Sequence, residues 1–128
     1  PWAGIAHVWV NLRNMGLKSP EESLPKALRA AGRALELDPN LVDGHLALAR
    51  AKRDLEFDIA AAEVLARKAL DLNPGSAEAH AVYGNILSFR GRGDEAVAHL
   101  KQAVELDPIS LQTNSTFASV LYRARRFE

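Results

Sequence analysis

Four histidines are the side chains of this sequence best suited to metal binding or to acid and base catalysis: His7, His45, His80 and His99. Either chemistry requires them to converge with carboxylates. The pattern His-Glu-x-x-His, which places two metal ligands on one face of a helix, does not occur. His45 and His80 lie 35 residues apart, which equals the period of an internal repeat, so we predict that both pack between helices. The sequence therefore predicts no metal site.

Nucleophilic and phosphate chemistry also lack their usual sequence settings. A catalytic serine commonly lies in Gly-x-Ser-x-Gly between a strand and a helix, and this pattern is absent. Gly91 and Gly93 follow no strand pattern and are not accompanied by Gly-x-x-x-x-Gly-Lys, which favours a turn over a phosphate cradle. We therefore predict a protein that is not an enzyme, with no catalytic residue and no cofactor.

A small basic cluster, Arg123, Arg125 and Arg126, lies close to the last residue. We interpret it as a solvated turn, because no aromatic residues alternate with the arginines and no longer basic stripe continues them. RNA binding is the weaker alternative.

Composition narrows the classes of partner. The chain has 128 residues, 48% of them hydrophobic and 25% charged, as in an ordinary globular domain. Sixteen basic and sixteen acidic residues give a formal net charge of zero, so no global field attracts nucleic acid or an anionic membrane. No apolar run approaches the roughly 20 residues of a membrane-spanning helix. Cysteine is absent, which agrees with a reducing compartment, and we expect a cytoplasmic location.

One six-residue segment occurs three times, at positions 34–39, 69–74 and 103–108. It combines Ala, Leu or Val, an acidic residue, Leu, Asp or Asn, and Pro, and the prolines lie 35 and then 34 residues apart. Such a period is typical of repeat arrays. Because proline cannot extend the hydrogen-bond ladder of a helix, each segment predicts the end of a helix.

The spacing of apolar residues predicts seven helices arranged in pairs. They cover about 2 to 15, 24 to 37, 41 to 55, 59 to 72, 76 to 90, 94 to 106 and 110 to 124. Residues 16–23 form the one long connection, inside the first pair. No alternating apolar and polar run bounded by a hairpin turn predicts a strand.

These features resemble the tetratricopeptide repeat, a unit of two helices and 34 residues. The third unit fits best and carries these residues at the family's characteristic positions: Tyr83, Gly84, Leu87, Ala96, Leu100, Ala103 and Pro108. The second unit departs from the pattern by one extra residue in its turn, and the first departs by its long connection.

A narrower resemblance concerns the segments 57–63, 80–84 and 105–110. They are similar to tetratricopeptide regions attached to bacterial winged-helix transcriptional regulators, adenylate cyclases and protein kinases. None of those catalytic or DNA-binding modules lies in this chain, so their activities are not carried over.

The resemblance implies an all-α fold, a right-handed α-solenoid of antiparallel helical hairpins with about three and a half repeats. We expect a single domain over residues 1–128, with repeats at about 1–40, 41–75 and 76–109 and a partial repeat at 110–128. Because the sequence starts and stops inside repeats, we expect a fragment of a longer protein.

In the resembling family, the first helix of each repeat lines a concave face that contacts an extended peptide or a helix. The resemblance therefore implies a protein or peptide partner, which would contact Asp43, Leu46, Arg50, Arg53, Asp54, Glu78, Asn85, Ser88, Phe89, Ser119, Tyr122 and Arg123. Arginines of this set suit carboxylates, and its aromatic residues supply apolar area. Binding of chaperone tails is not predicted, because only Asn85 of the required Lys and Asn set is present.

The main alternative is an oligomerisation or intramolecular regulatory domain of a bacterial signalling enzyme or transcriptional regulator. A helical array normally needs a polar capping element, and this sequence stops with a first-type helix. An uncovered apolar face would favour a homodimer through the terminal repeats. We expect neither a membrane nor nucleic acid as a partner.

Overall fold

The computed structural model describes residues 2–17, 19–54 and 57–126, and this part of the chain is all-helical, without a strand. Its helices are α1 (Trp2–Asn14), α2 (Pro20–Leu37), α3 (Val42–Asp54), α4 (Ile59–Leu72), α5 (Ala77–Phe89), α6 (Gly93–Leu106) and α7 (Leu111–Arg126). The predictions of an all-α fold and of seven helices over these residues are confirmed.

The helices pack as hairpins within two compact units, residues 1–72 and residues 73–128. In the first unit α1 packs on α2, α3 packs on α4, and α3 also contacts α1 and α2. In the second unit α5 packs on α6, and α7 lies against both of them. The helical hairpins that the repeat predicted are therefore present.

The repeated segment ends α2, α4 and α6, each of which stops two residues before its proline. The polar residue between the helix and the proline closes a turn. Asp38 Oδ1 accepts a hydrogen bond from the backbone N–H of Asn40 at 3.0 Å, and Asn73 Oδ1 accepts one from Gly75 at 3.1 Å. This is the Asx-turn chemistry that makes Asp and Asn common at such positions.

A second recurring bond follows six residues after each proline, where a side chain donates to the proline carbonyl oxygen. The three pairs are His45 to Pro39 (2.9 Å), His80 to Pro74 (2.8 Å) and Asn114 to Pro108 (3.1 Å). The bonds occupy carbonyl groups in front of a helix that would otherwise lack a partner in the chain. His45 and His80 are buried, so the packing role predicted for both histidines is confirmed.

Small side chains let the helices approach closely. In the first unit, α1, α2 and α3 meet in a cluster of alanines: Ala6, Ala30, Ala31, Ala34 and Ala47. In the second unit, a β-carbon built on Gly84 of α5 would lie 2.1 Å from Leu100 Cδ2 of α6. Glycine at this position is therefore a packing requirement of the α5 and α6 pair.

The predicted connection at residues 16–23 is wrong in its second half, because α2 already begins at Pro20. Ser19 caps this helix: its Oγ accepts a hydrogen bond from the backbone N–H of Glu22 at 3.3 Å. A serine cap, proline at the first helical position and glutamate three residues after the cap are a start signal that the sequence carried. Pro25 inside α2 obscured it, since an interior proline usually breaks a helix.

Over the described ranges, none of the helices has the length and apolar character that crossing a membrane requires.

Candidate functional site

The twelve predicted partner-binding residues lie on α3, α5 and α7, the first helices of their repeats. Five of them are exposed: Asp43, Glu78, Phe89, Ser119 and Tyr122. Five others are half-buried: Arg53, Asp54, Asn85, Ser88 and Arg123. The remaining two, Leu46 and Arg50, are buried.

The expectation that Leu46 and Arg50 are accessible to a partner is wrong. Leu46 has 0% of its surface exposed and belongs to the core, because its side chain points into the helix packing. Arg50 is 6% exposed, and its Nη2 donates to Asn11 Oδ1 of α1 at 2.6 Å. This bond links two neighbouring first helices, so Arg50 has a structural role.

The other charged residues of α3 also bind within the chain. Arg53 grips the Asp54 carboxylate with two hydrogen bonds, Nε to Oδ1 at 2.6 Å and Nη2 to Oδ2 at 2.9 Å. Asn14 of α1 donates to the same carboxylate at 3.0 Å. The side chains of Arg53 and Asp54 are only 12% and 16% exposed.

Two opposing effects set the pKa of Asp54. Burial on its own would raise this pKa, since it disfavours the charged carboxylate. The hydrogen bonds from Arg53 and Asn14, together with the charges of Arg53 and Arg50, outweigh burial and lower the pKa below its ordinary value of 3.8. The carboxylate is therefore ionised at neutral pH and joins α1 to α3.

In the second unit, Arg123 of α7 reaches back to α5. Its Nε donates to Ser88 Oγ at 2.8 Å, and its Nη2 donates to Asn85 Oδ1 at 2.5 Å. The guanidinium carbon lies 4.3 Å from the centre of the Phe89 ring, a cation–π distance. Three predicted site residues of α5 thus converge on one predicted residue of α7.

We name this group, together with Tyr122, the α5–α7 patch: Asn85, Ser88, Phe89, Tyr122 and Arg123. Phe89 and Tyr122 are 53% and 63% exposed, so the patch presents aromatic surface beside a positioned cation. A guanidinium can bind carboxylates through parallel hydrogen bonds, and exposed aromatic rings can bury apolar side chains of a partner.

Sequence reasoning missed the partners that α1 and α6 supply. Asn14 was not singled out, although its spacing from Asn11 places two amides on one face of α1. His99 of α6 has its Nδ1 3.1 Å from His80 Nδ1, and the two rings stack. Because His80 donates to Pro74 through Nε2, a neutral His80 ring accepts at Nδ1, and His99 donates to it.

Among the residues whose placement is described, no three His, Cys, Asp or Glu side chains are grouped closely enough to hold a metal ion. The side chain of His7 lies outside the described residues, as does that of Arg126 in the basic cluster. Arg125 of that cluster is exposed near the end of α7.

Comparison with known proteins gives a family match and several similar folds. Residues 55–110 match the family model described as Tetratricopeptide repeat. No curated protein sequence matches the chain.

Three solved structures illustrate the likeness of fold. An O-GlcNAc transferase mutant of Thermobaculum terrenum is 23% identical with a TM-score of 0.72, and the match covers 94% of this chain and 22% of that one. TTC0263, a thermophilic TPR protein of Thermus thermophilus, is 24% identical with a TM-score of 0.76 over 94% of this chain and 62% of that one. The second TPR domain of human RPAP3, in complex with an HSP70 peptide, is 18% identical with a TM-score of 0.67 over 93% and 94%.

The chain spans less than two thirds of the first two structures, so these likenesses concern its fold alone. The repeated proline segment, the helical hairpins and the family match all agree. The chain therefore belongs to the tetratricopeptide repeat family, with the matched segment at residues 55–110.

Proposed function

We propose that this chain is a non-catalytic protein-interaction module that binds a peptide or a helix on the surface of its first helices, chiefly at the α5–α7 patch. The observation that carries this proposal is the positioned guanidinium of Arg123, which lies over the exposed Phe89 ring. A surface of this composition suits a ligand that has a carboxylate beside an apolar side chain.

Preorganisation is the physical reason for choosing this patch. A long arginine side chain normally loses rotamer freedom when it binds, which costs about 0.5 to 1.5 kcal/mol. Asn85 and Ser88 already fix the Arg123 side chain in the unbound chain. A ligand carboxylate would therefore meet a guanidinium that has lost most of this freedom during folding.

The first unit offers a weaker surface. Arg53 and Asp54 bind each other, and Arg50 is buried. A ligand would have to compete with these internal bonds, so we assign the first unit a secondary contribution through the exposed Asp43. The likeness to the RPAP3 domain, whose structure contains a bound peptide, supports peptide binding as the general mode.

Selection from a library of random linear peptides displayed on phage, with the whole chain as bait, tests the proposal. We expect enriched peptides that combine an acidic residue with an apolar one. Replacing both aromatic residues, Phe89→Ser with Tyr122→Ser, should weaken the selected peptides at least about tenfold, as loss of interface anchors usually does.

The matched control is Val64→Ser on α4, which removes an equally exposed apolar side chain (68%) far along the sequence from the patch. It should leave affinity unchanged. Absence of any enrichment would contradict peptide binding, and equal affinity for the double variant and the parent would contradict the α5–α7 patch.

The alternative role, oligomerisation or intramolecular regulation within a larger bacterial protein, stays a proposal too. The specific observation in its favour is the exposed apolar surface of α7, where Leu111 and Leu121 are 85% and 38% exposed. Sedimentation velocity over a wide concentration range tests the homodimer. A sedimentation coefficient that stays at the monomer value throughout speaks against it.

A further inference from the structure

One face of α7 is exposed along its whole length. The residues Leu111, Asn114, Ala118, Leu121 and Arg125 follow each other at spacings of three, four, three and four, and all of them are exposed. This spacing places them in one stripe along the helix. We name these five residues the α7 stripe. It differs from the α5–α7 patch, which contains the neighbouring positions 122 and 123.

The same positions of α5 are covered by α6. Counted from the proline of each repeat, the residues at 3, 6, 10 and 13 are Ala77, His80, Gly84 and Leu87 in α5, and Leu111, Asn114, Ala118 and Leu121 in α7. His80, Gly84 and Leu87 are buried, whereas their three counterparts in α7 are exposed. The α7 stripe is therefore a packing face of known register that lacks its helix in the structure.

The contacts of Gly84 show what such a helix must supply. Its nearest neighbours on α6 are Leu100, the backbone oxygen of Ala96, and His99. Ala96 and Leu100 have 0% exposure, and both lie on the face of α6 that meets α5. Ala118, like Gly84, is small enough for close approach, so a helix with the Ala-x-x-x-Leu pattern would fit over it.

Charge complementarity selects the end at which the partner helix begins. In the α5 and α6 pair, Arg92 lies at the turn and binds Glu95 in the first turn of α6, with Nη2 and Oε2 2.6 Å apart. The corresponding end of α7 carries arginines at 123, 125 and 126, and residues 111–126 contain no acidic side chain. An antiparallel helix would place its first turn beside this basic end.

We propose that the α7 stripe binds an amphipathic helix that runs antiparallel to α7, with an alanine and a leucine four residues apart over Ala118 and acidic residues in its first turn near Arg125. The acidic turn would also complement the helix dipole of the partner, whose N-terminus favours negative charge. The ligand is thus a helix of stated pattern, bound at a second surface of the chain.

The probe for this proposal is a fluorescently labelled peptide with the sequence of residues 93–106, because α6 carries the required pattern in its native register. A helix-stabilised form is preferable, since isolated helices of this length are marginal in water. Titration into the whole chain, followed by amide chemical shifts, should perturb the residues of the α7 stripe and saturate below about 1 mM.

Two variants with matched controls locate the site. Ala118→Leu should weaken the probe about tenfold by filling the close-approach position, while Ala60→Leu, the same change at an exposed site of α4, should not. Arg125→Glu should weaken it about threefold and reduce its salt dependence, while Lys68→Glu, an exposed charge reversal on α4, should not.

Three outcomes overturn the proposal. No saturable shift at the α7 stripe up to about 1 mM would reject it outright. Probe binding that survives Ala118→Leu but is lost in the Phe89→Ser and Tyr122→Ser double variant would assign the probe to the α5–α7 patch. Concentration-dependent dimerisation that Ala118→Leu abolishes would show that a second copy of the chain covers the stripe in place of a separate helix.

Discussion

His80 donates a hydrogen bond from Nε2 to the carbonyl oxygen of Pro74 at 2.8 Å, across six positions of the chain. The bond ties the first turns of α5 to the proline turn in front of it. His45 repeats it with Pro39, and Asn114 repeats it with Pro108 through an amide. The first-helix position six residues after the proline is therefore selected for a side chain that donates backwards, and imidazole and amide both serve.

His80→Ala should lower the free energy of unfolding by about 2 to 3 kcal/mol, because it leaves the Pro74 carbonyl and His99 without their partner and opens a cavity. His80→Asn should cost less, about 1 kcal/mol, since Asn114 shows that an amide reaches the proline carbonyl at this position. Urea unfolding followed by circular dichroism measures both. Equal losses for the two variants would contradict a role for the hydrogen bond.

Gly84→Ala should destabilise the chain by about 1 to 3 kcal/mol. The added β-carbon would lie 2.1 Å from Leu100 Cδ2 and 3.1 Å from the backbone oxygen of Ala96, and Leu100 is too deeply buried to move aside. Gly32→Ala in α2 meets nothing within 4 Å and should stabilise the helix by about 0.5 to 1 kcal/mol. Thermal unfolding of the two variants should shift in opposite directions, and a shift of both in one direction would contradict this reading.

The sequence predicted the helices well because proline and apolar spacing are local signals. The ends at 37, 72 and 106 coincide with those observed, since each precedes a proline by two residues. The start of α2 was placed four residues late, because Pro25 outweighed the Ser19 cap in a reading based on breakers. Local rules thus failed only where two local signals opposed each other.

The candidate site was predicted less well, because it depends on pairings between helices. The repeat register placed Leu46 and Arg50 on a first helix but did not reveal that both are buried. Arg50 is consumed by Asn11, a residue 39 positions away. Arg123 and Asn85 were both in the predicted set, yet their direct bond is a fact of the packing of α7 on α5 and has no signature in either segment alone.

The Asp54 carboxylate should make stability depend on acid in a defined window. Its folded pKa is lowered, so its contribution is fully present above the unfolded value of 3.8 and is lost as the pH falls through the folded pKa below it. Asp54→Asn should therefore cost about 1 to 2 kcal/mol at pH 7, through loss of the charged hydrogen bonds. The difference from the parent chain should shrink below about pH 4.

Asp71→Asn is the control for this measurement, because Asp71 and Arg67 form an ion pair that is 71% and 64% exposed at 3.7 Å. Such exposed pairs contribute little, and the variant should change stability by less than about 0.5 kcal/mol at any pH. Urea unfolding at pH 7 and pH 3 compares the two. A constant cost of Asp54→Asn between these pH values would refute the ionic contribution.

The turns inside the second and third hairpins place one residue in the left-handed backbone region, at φ +58° for Phe57 and φ +77° for Gly91. Each lies 17 residues before its proline, so the two positions are equivalent. This conformation costs residues other than glycine about 1 kcal/mol or more. Phe57 is 68% exposed, so its side chain recovers little of this cost through burial.

Phe57→Gly should therefore raise the free energy of unfolding by about 0.5 to 1 kcal/mol, and Gly91→Phe should lower it by about 1 kcal/mol. Urea midpoints of the two variants should move in opposite directions with unchanged denaturant slopes, since both changes act on a turn and leave the packed helices intact. Loss of stability on Phe57→Gly would instead assign the Phe57 ring a contact that outweighs the strain of its backbone.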